Sequence, residues 1–336
     1  MGLLGILKPE SDAGSDYEVE AMHFNLWVLP TKRLSWSSSP KIQCKGKNFY
    51  IDVGMRIKLK KGSLNSINIH FPCKIDRTSF CDLSDLVKDE KINDLIFGTV
   101  ATSRNNTIEY PGDSFAKNKK IKDIVVDLRN IETNEDEDYT INFSSDIEKL
   151  TRNYVYAYLR FRVGVKDASM TWASKGWGSD KFGAIFDLRV SDAREGKFNQ
   201  QGQSEVSSFM PINRFFGFLI VPASFVPVNH SPPLHYSRLL EPNIWKPYLE
   251  YCRAFSTSEK FAIHQWRSPA NEVVNYENPF RAYMHLHREF GTALFFLYVI
   301  LLVAAALVGA IISESPLPAW LYAKIAEVGT FVTNCI

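Results

Sequence analysis

NFYIDVGMRIKLKKGSLNSINIHF, residues 48–71, carries the plainest local signal in the chain. Phe49, Ile51, Val53, Met55, Ile57 and Leu59 alternate with Tyr50, Asp52, Gly54, Arg56, Lys58 and Lys60. Beyond Lys61-Gly62-Ser63, Ile67, Ile69 and Phe71 alternate with Ser66, Asn68 and His70. Successive side chains of a strand leave opposite sides of the pleat, so a period of two marks a strand with one buried face. Two such runs joined by a glycine-containing connection predict an antiparallel hairpin. Its outer face is basic and polar, which suits a solvated surface that discourages edge-to-edge pairing.

The same period recurs outward along the chain. In Tyr154 to Val165, Val155, Ala157, Leu159, Phe161, Val163 and Val165 take one side. Tyr154, Tyr156, Tyr158, Arg160 and Arg162 take the other. Tyrosines beside arginines are what a sheet offers a planar or phosphate-bearing partner. The alternative is that the tyrosines pack beneath another element while the arginines reach solvent. Further strands are predicted at Met22–Leu29, Ile121–Leu128, Phe182–Val190, Arg214–Val221 and Phe261–Trp266. Helices are predicted at Asp82–Phe97, after Ser145 on capping-box spacing with Glu148, and at Pro242–Arg253 with a bend at Pro247. Residues 1–16 read as a mobile start, Thr99–Lys120 as a polar loop, and Glu132–Asp138 as an acidic turn. The fold class is therefore mainly β: antiparallel, sandwich-like sheets with a few short helices, a body spanning 17–277 and a candidate boundary between two β modules near residue 145.

Phe290 to Ile312, FGTALFFLYVILLVAAALVGAII, runs for 23 residues without a charge. As a helix it is about 34 Å long, enough for a hydrocarbon core of about 30 Å with some tilt. Asn278-Pro279 supplies a cap and a first-turn proline, so one helix is expected from there through Arg281 and Arg288 into the membrane. Arg281 and Arg288 precede the span, and the next Lys or Arg after it is Lys324. The positive-inside bias then places the body in the cytoplasm, for a bacterium at the inner membrane. Ala305 and Gly309 provide small-residue spacing for close helix approach and homo-oligomers. Residues 313–336 form a second membrane or interfacial helix. It either lies in the far interface, anchored by Trp320, or returns through lipid with Lys324 and Glu327 on a polar stripe.

Composition excludes some classes. Net charge is +2 from 39 basic and 37 acidic residues, so an anion-binding surface must be local. Five cysteines fit a reduced compartment without a disulfide framework. His70, Cys73 and Cys81, with Cys44 upstream, match no zinc-knuckle spacing and read as ordinary buried thiols rather than a metal site. His285 and His287 fall on different faces of the expected helix. Met1–Leu7 is too short for a signal-peptide core, and Ile6 stands where a myristoylation motif wants Ser or Thr. No phosphate loop, Gly-X-Ser-X-Gly or His-Glu-X-X-His occurs, so no cofactor and no catalytic set is assigned. His230 and His235, beside Tyr236 and Arg238, are the best local cluster of polar chemistry.

In layout the chain resembles the membrane effectors of prokaryotic anti-phage systems, which join a cytoplasmic sensing domain to a small membrane hairpin. The resemblance implies a body that recognises a partner protein or an anionic ligand, with nucleic acid a further candidate, and so clusters its membrane helices. Arg160, Arg162, Tyr154, Tyr156, Tyr158, Lys58 and Lys60 are the candidates for recognition. Phe290, Ala305, Gly309, Ile312, Trp320, Lys324 and Glu327 are the membrane set. The alternatives are a static anchor for a partner enzyme and a membrane-bound hydrolase using His230 or His235.

Overall fold

The computed structural model describes residues 2–7, 16–28, 49–61, 66–90, 92, 96, 102–104, 106–111, 120–135, 138–143, 155–166, 171–175, 181–192, 209–250, 260–289, 300–305, 308 and 309. The first elements are β1 (Gly2–Leu7), β2 (Asp16–Val28), β3 (Phe49–Lys61), β4 (Ser66–His70), β5 (Ile75–Asp82) and α1 (Ser84–Lys88). Next come β6 (Thr102–Arg104), β7 (Thr107–Pro111), β8 (Lys120–Val125), β9 (Leu128–Glu135), β10 (Asp138–Phe143) and β11 (Tyr156–Val165). Then follow β12 (Thr171–Lys175), β13 (Lys181–Val190), β14 (Phe215–Pro222), β15 (Phe225–Ser231) and β16 (Tyr236–Leu239). The last are α2 (Pro242–Glu250), β17 (Phe261–Arg267) and β18 (Phe280–Glu289).

The strands make two sheets. Sheet 1 runs β15-β18-β13-β1-β4-β10-β9, with β12 on β13. Sheet 2 runs β16-β17-β14-β2-β3-β11-β8-β7-β6, with β5 on β11. Most neighbouring strands pair antiparallel, as expected, but the sheets are mixed: β1 lies parallel to β13, β14 to β2 and β8 to β11. One core fills the space between the two inner faces. Leu4, Ile6, Ile69 and Ile141 enter it from sheet 1, and Phe24, Val53, Phe161 and Leu219 from sheet 2. It draws on residues from both sides of residue 145.

The hairpin expected over 48–71 does not form. β3 pairs with β2 and β11, whereas β4 pairs with β1 and β10 in the other sheet. Ile51, Val53, Met55 and Ile57 still point into the core, and so do Ile67 and Ile69. They reach it from opposite walls, a distinction a period of two cannot make because it fixes a face and not a partner.

Residues 2–7 are a paired strand, not a mobile start. Leu4 and Ile6 are wholly buried, and full burial of such a side chain stabilises by about 1.5–3 kcal/mol. The polar stretch after residue 99 contains the hairpin β6–β7. Asp82 ends β5, so the helix expected from it begins only at Ser84. The helix expected from Asn278 through Arg288 is strand β18. Phe280, Ala282, Met284 and Leu286 are buried while Arg281 is exposed and Tyr283, His285 and His287 are half-buried, the period of a strand.

The chain divides into two compact units, 1–177 with 182–288, and 178–181 with 289–336. In the second, 300–305 and 308–309 are helical, and every one of these residues is exposed. Among the described residues no helix is long and apolar enough to cross a membrane. Phe290, Ile312, Trp320, Lys324 and Glu327 lie outside the described residues, as does the short helix expected after Ser145.

Candidate functional site

The outer face of sheet 2 is covered by the two helices. Trp245 and Tyr248, one turn apart on α2, pack on Trp27, Ile220, Phe261 and Ile263, with Leu83 and Leu86 beside them. This cover turns the polar face of β3 and β11 into an interior. Across the antiparallel pair Arg162 lies opposite Asp52, Arg160 opposite Gly54 and Tyr158 opposite Arg56.

Asp52 is the centre of the layer and is fully buried. Arg162 Nε donates to its Oδ1 at 2.6 Å and Nη2 to its Oδ2 at 2.9 Å. The indole of Trp27 and the hydroxyl of Tyr248 each donate to Oδ2 at 2.7 Å. Burial alone raises the Asp52 pKa; the Arg162 guanidinium outweighs it, and the carboxyl ends below its usual range. Arg160 Nε donates to the Tyr248 hydroxyl at 2.9 Å and Nη1 to the Tyr158 hydroxyl at 3.2 Å. Burial pushes the pKa of both phenols up, keeping them neutral acceptors. His23 sits across Gly54 from Arg160 and edge-on to Phe216, with ring centroids 4.8 Å apart. Burial, and then the Arg160 charge, lower its pKa to about 3.

The expected recognition residues therefore separate. Arg160, Arg162 and Tyr158 come together beneath α2, each no more than 2% exposed. Tyr158 packs beneath another element, as the alternative expected, but the arginines do not reach solvent, because α2 closes over them. Tyr156 is half-buried and carries the Arg56 guanidinium 3.8 Å above its ring. Arg56 in turn grips the buried Asp123 through two bonds of 2.7 and 3.0 Å. Lys58 stands away from the layer in a surface pair with Glu18 at 3.5 Å. Lys60 belongs to β3, and Tyr154 lies outside the described residues. Sequence reasoning missed His23, Trp27 and Tyr248, and it read Asp52 only as part of a solvated face. The lone acid on a basic face was the available signal.

Among the described residues the other candidates do not come together as a reaction centre. His230 and His235 are exposed, and His230 Nδ1 lies 3.3 Å from the Pro232 carbonyl. Ser237 Oγ and His264 Nδ1 are 2.8 Å apart, but His264 Nε2 is buried without a partner, so no acid orients the ring. Burial, then the His230 charge, lower the His264 pKa to about 4. On β18 His285 and His287 share a face, rings 4.6 Å apart, where a helix was expected to separate them. His70 pairs with Asp138 at 2.5 Å, Cys73 is a buried thiol, and Cys81 is disulfide-bonded. The disulfide corrects the expectation of reduced thiols throughout; its partner lies outside the described residues. Among the described residues no three His, Cys, Asp or Glu gather to hold a metal.

No family model matches the chain, and no curated protein does. Among solved structures it is similar to a two-domain M1 zinc metallopeptidase bound to L-tryptophan, at 8% identity and a TM-score of 0.31, over 83% of this chain and 44% of that one. It is also similar to an M1 zinc metallopeptidase from Deinococcus radiodurans, at 8% identity and a TM-score of 0.30, over 83% and 43%. The chain thus spans under half the length of these structures. A likeness this weak assigns neither fold nor activity.

Proposed function

We propose that this chain is a membrane-attached sensor and effector, in which the β body binds a partner protein or an anionic ligand and thereby clusters the C-terminal helices to perturb the bilayer. The observation that carries this reading is the helix at 300–305. Ile300, Leu301, Leu302 and Val303 are 53–71% exposed on consecutive positions, a full turn of helix. Apolar side chains bare on every side of a helix favour lipid or sister helices as neighbours. The run of 23 uncharged residues that contains them supports a span. Cytoplasmic placement rests on the flanking arginines, and a role in anti-phage defence rests on layout alone.

The test is induced expression with fractionation and dye entry. The effector reading expects the chain in the membrane pellet and dye inside the cells. A pelleted chain with a sealed bilayer would leave the static anchor, and a chain soluble without detergent would remove both.

A further inference from the structure

We infer that the layer between α2 and the outer face of sheet 2 is a receptor for a small anionic group, carboxylate or phosphoryl, whose oxygens bond to Arg160. The inference deepens the reading of the β body as a recognition module. It starts from the balance of charge. Two guanidiniums, Arg160 and Arg162, share the layer with one carboxylate, Asp52. That carboxylate is spent, because Arg162, Trp27 and Tyr248 already place four donors on its two oxygens. Asp123, the other buried acid of this face, is engaged by Arg56. His23 is neutral. Arg160 is left as a cation, 2% exposed, bonded to two phenol oxygens and 5.6 Å from the centre of the Tyr248 ring, with no carboxylate bonded to it. Of the five N–H groups of a guanidinium, three remain without a bond among the described residues.

Two independent observations point the same way. Trp245 Nε1, on the α2 wall of the layer, is a buried donor without a partner, in a residue 5% exposed. Asn25, opposite Asp52 on β2 and 6% exposed, has an unpartnered buried amide oxygen. Its amide can turn either edge inward. A spare donor, an unpartnered amide and an under-compensated positive charge therefore share one buried layer. Water could satisfy the donors but not the charge: Asp52 is one carboxylate set against two guanidiniums, and an under-compensated buried ion is the costlier defect. An anion answers both. It must be compact: a Cβ on Gly54 would lie 2.8 Å from Arg160 Nη1 and 2.6 Å from the Tyr158 hydroxyl, so the guanidinium lies close against the β3 backbone.

The test uses the full chain in detergent, melted against rising sodium phosphate or sodium acetate at constant ionic strength. The two salts separate phosphoryl from carboxylate. One of them should raise Tm along a saturating curve, by about 3–6 °C at a hundredfold excess over half-saturation. Arg160→Gln should abolish the saturating rise, whereas Arg238→Gln, an exposed arginine paired with Glu241, should keep it. Trp245→Phe, which keeps the packing and removes one donor, should shift half-saturation about tenfold upward. If Arg160→Gln does not fold, the wild-type curve and Trp245→Phe still decide. A linear rise is general salt stabilisation. No saturating response in the wild type, or the same response in Arg160→Gln, overturns the inference. Neither result depends on dye entry, so this site and the membrane reading can fail separately.

Discussion

Arg160 and Arg162 stand two residues apart on one strand beneath one tyrosine, yet only Arg162 has a carboxylate. Tyr248 serves both: its hydroxyl accepts from Arg160 at 2.9 Å and donates to Asp52 at 2.7 Å, while its carbonyl lies 3.4 Å from Arg162 Nη1. One helical residue thus joins an ion pair that is complete to a cation that is not.

Asp52→Asn removes the carboxylate that Arg162 grips. Breaking a buried ion pair from one side costs about 3–5 kcal/mol. Urea unfolding should show that loss, with the m-value unchanged. Exchanging Asp52 and Arg162 together for apolar residues of similar volume should cost less than Asp52→Asn alone.

Gly54→Ala tests how closely the guanidinium lies on the β3 backbone. The added methyl would come within 2.6 Å of the Tyr158 hydroxyl and 2.8 Å of Arg160 Nη1. Overpacking of this kind costs about 1–3 kcal/mol. Differential scanning calorimetry should register a lower Tm for Gly54→Ala, and Gly54→Ala with Tyr158→Phe should regain part of it.

Stability should fall on acidification. An unfolded histidine takes its proton near pH 6.5, whereas burial, helped by the Arg160 charge, delays His23 to about 3. Burial and the His230 charge delay His264 to about 4. Between those limits the unfolded chain binds more protons, so unfolding is favoured as pH drops. Each histidine contributes a slope of up to about 1.4 kcal/mol per pH unit. Urea midpoints should be flat from pH 8 to 7 and decline below about 6.5, and His23→Gln should remove one share. A wild-type midpoint that holds steady from pH 6 to 4.5 would contradict the burial of both rings.

The cysteines give a chemical check. Cys81 is in a disulfide and Cys73 is a buried thiol. Without reductant, mass spectrometry after unfolding and alkylation should find Cys73 modified and Cys81 protected. Reductant should expose Cys81. Protein recovered from cells with trapped thiols would also report the compartment, because a reducing cytoplasm keeps such bonds open.

How much of this could be read from the residues depends on which question the pattern answers. Alternation placed β11 and β13 within a residue or two, and an unbroken apolar run placed β14. A proline at the first position, Pro242, marked the start of α2. Pairing was another matter: nothing local tells β3 that its neighbours are β2 and β11. At residues 278–289 the Asn-Pro cap outweighed the alternation of Phe280, Ala282, Met284 and Leu286, and a strand was read as a helix. The site was half legible. Arg160 and Arg162 stood out on their face, but their burial depends on Tyr248, which is 88 residues from Arg160 in sequence.

β1 has a consequence for how the chain reaches this state. Gly2–Leu4 lie along Leu188–Val190, and Gly5–Leu7 along Asn68–His70. This one strand stitches the β13 side of sheet 1 to the β4 side. The stitch at Gly2 cannot close until Leu188 has left the ribosome, so half of that sheet waits with bare edges while synthesis proceeds. Contacts this distant along the chain slow folding and leave time for wrong partners. A bulky fusion placed immediately before Gly2 would obstruct the closing step, whereas one separated by a flexible spacer would let it proceed.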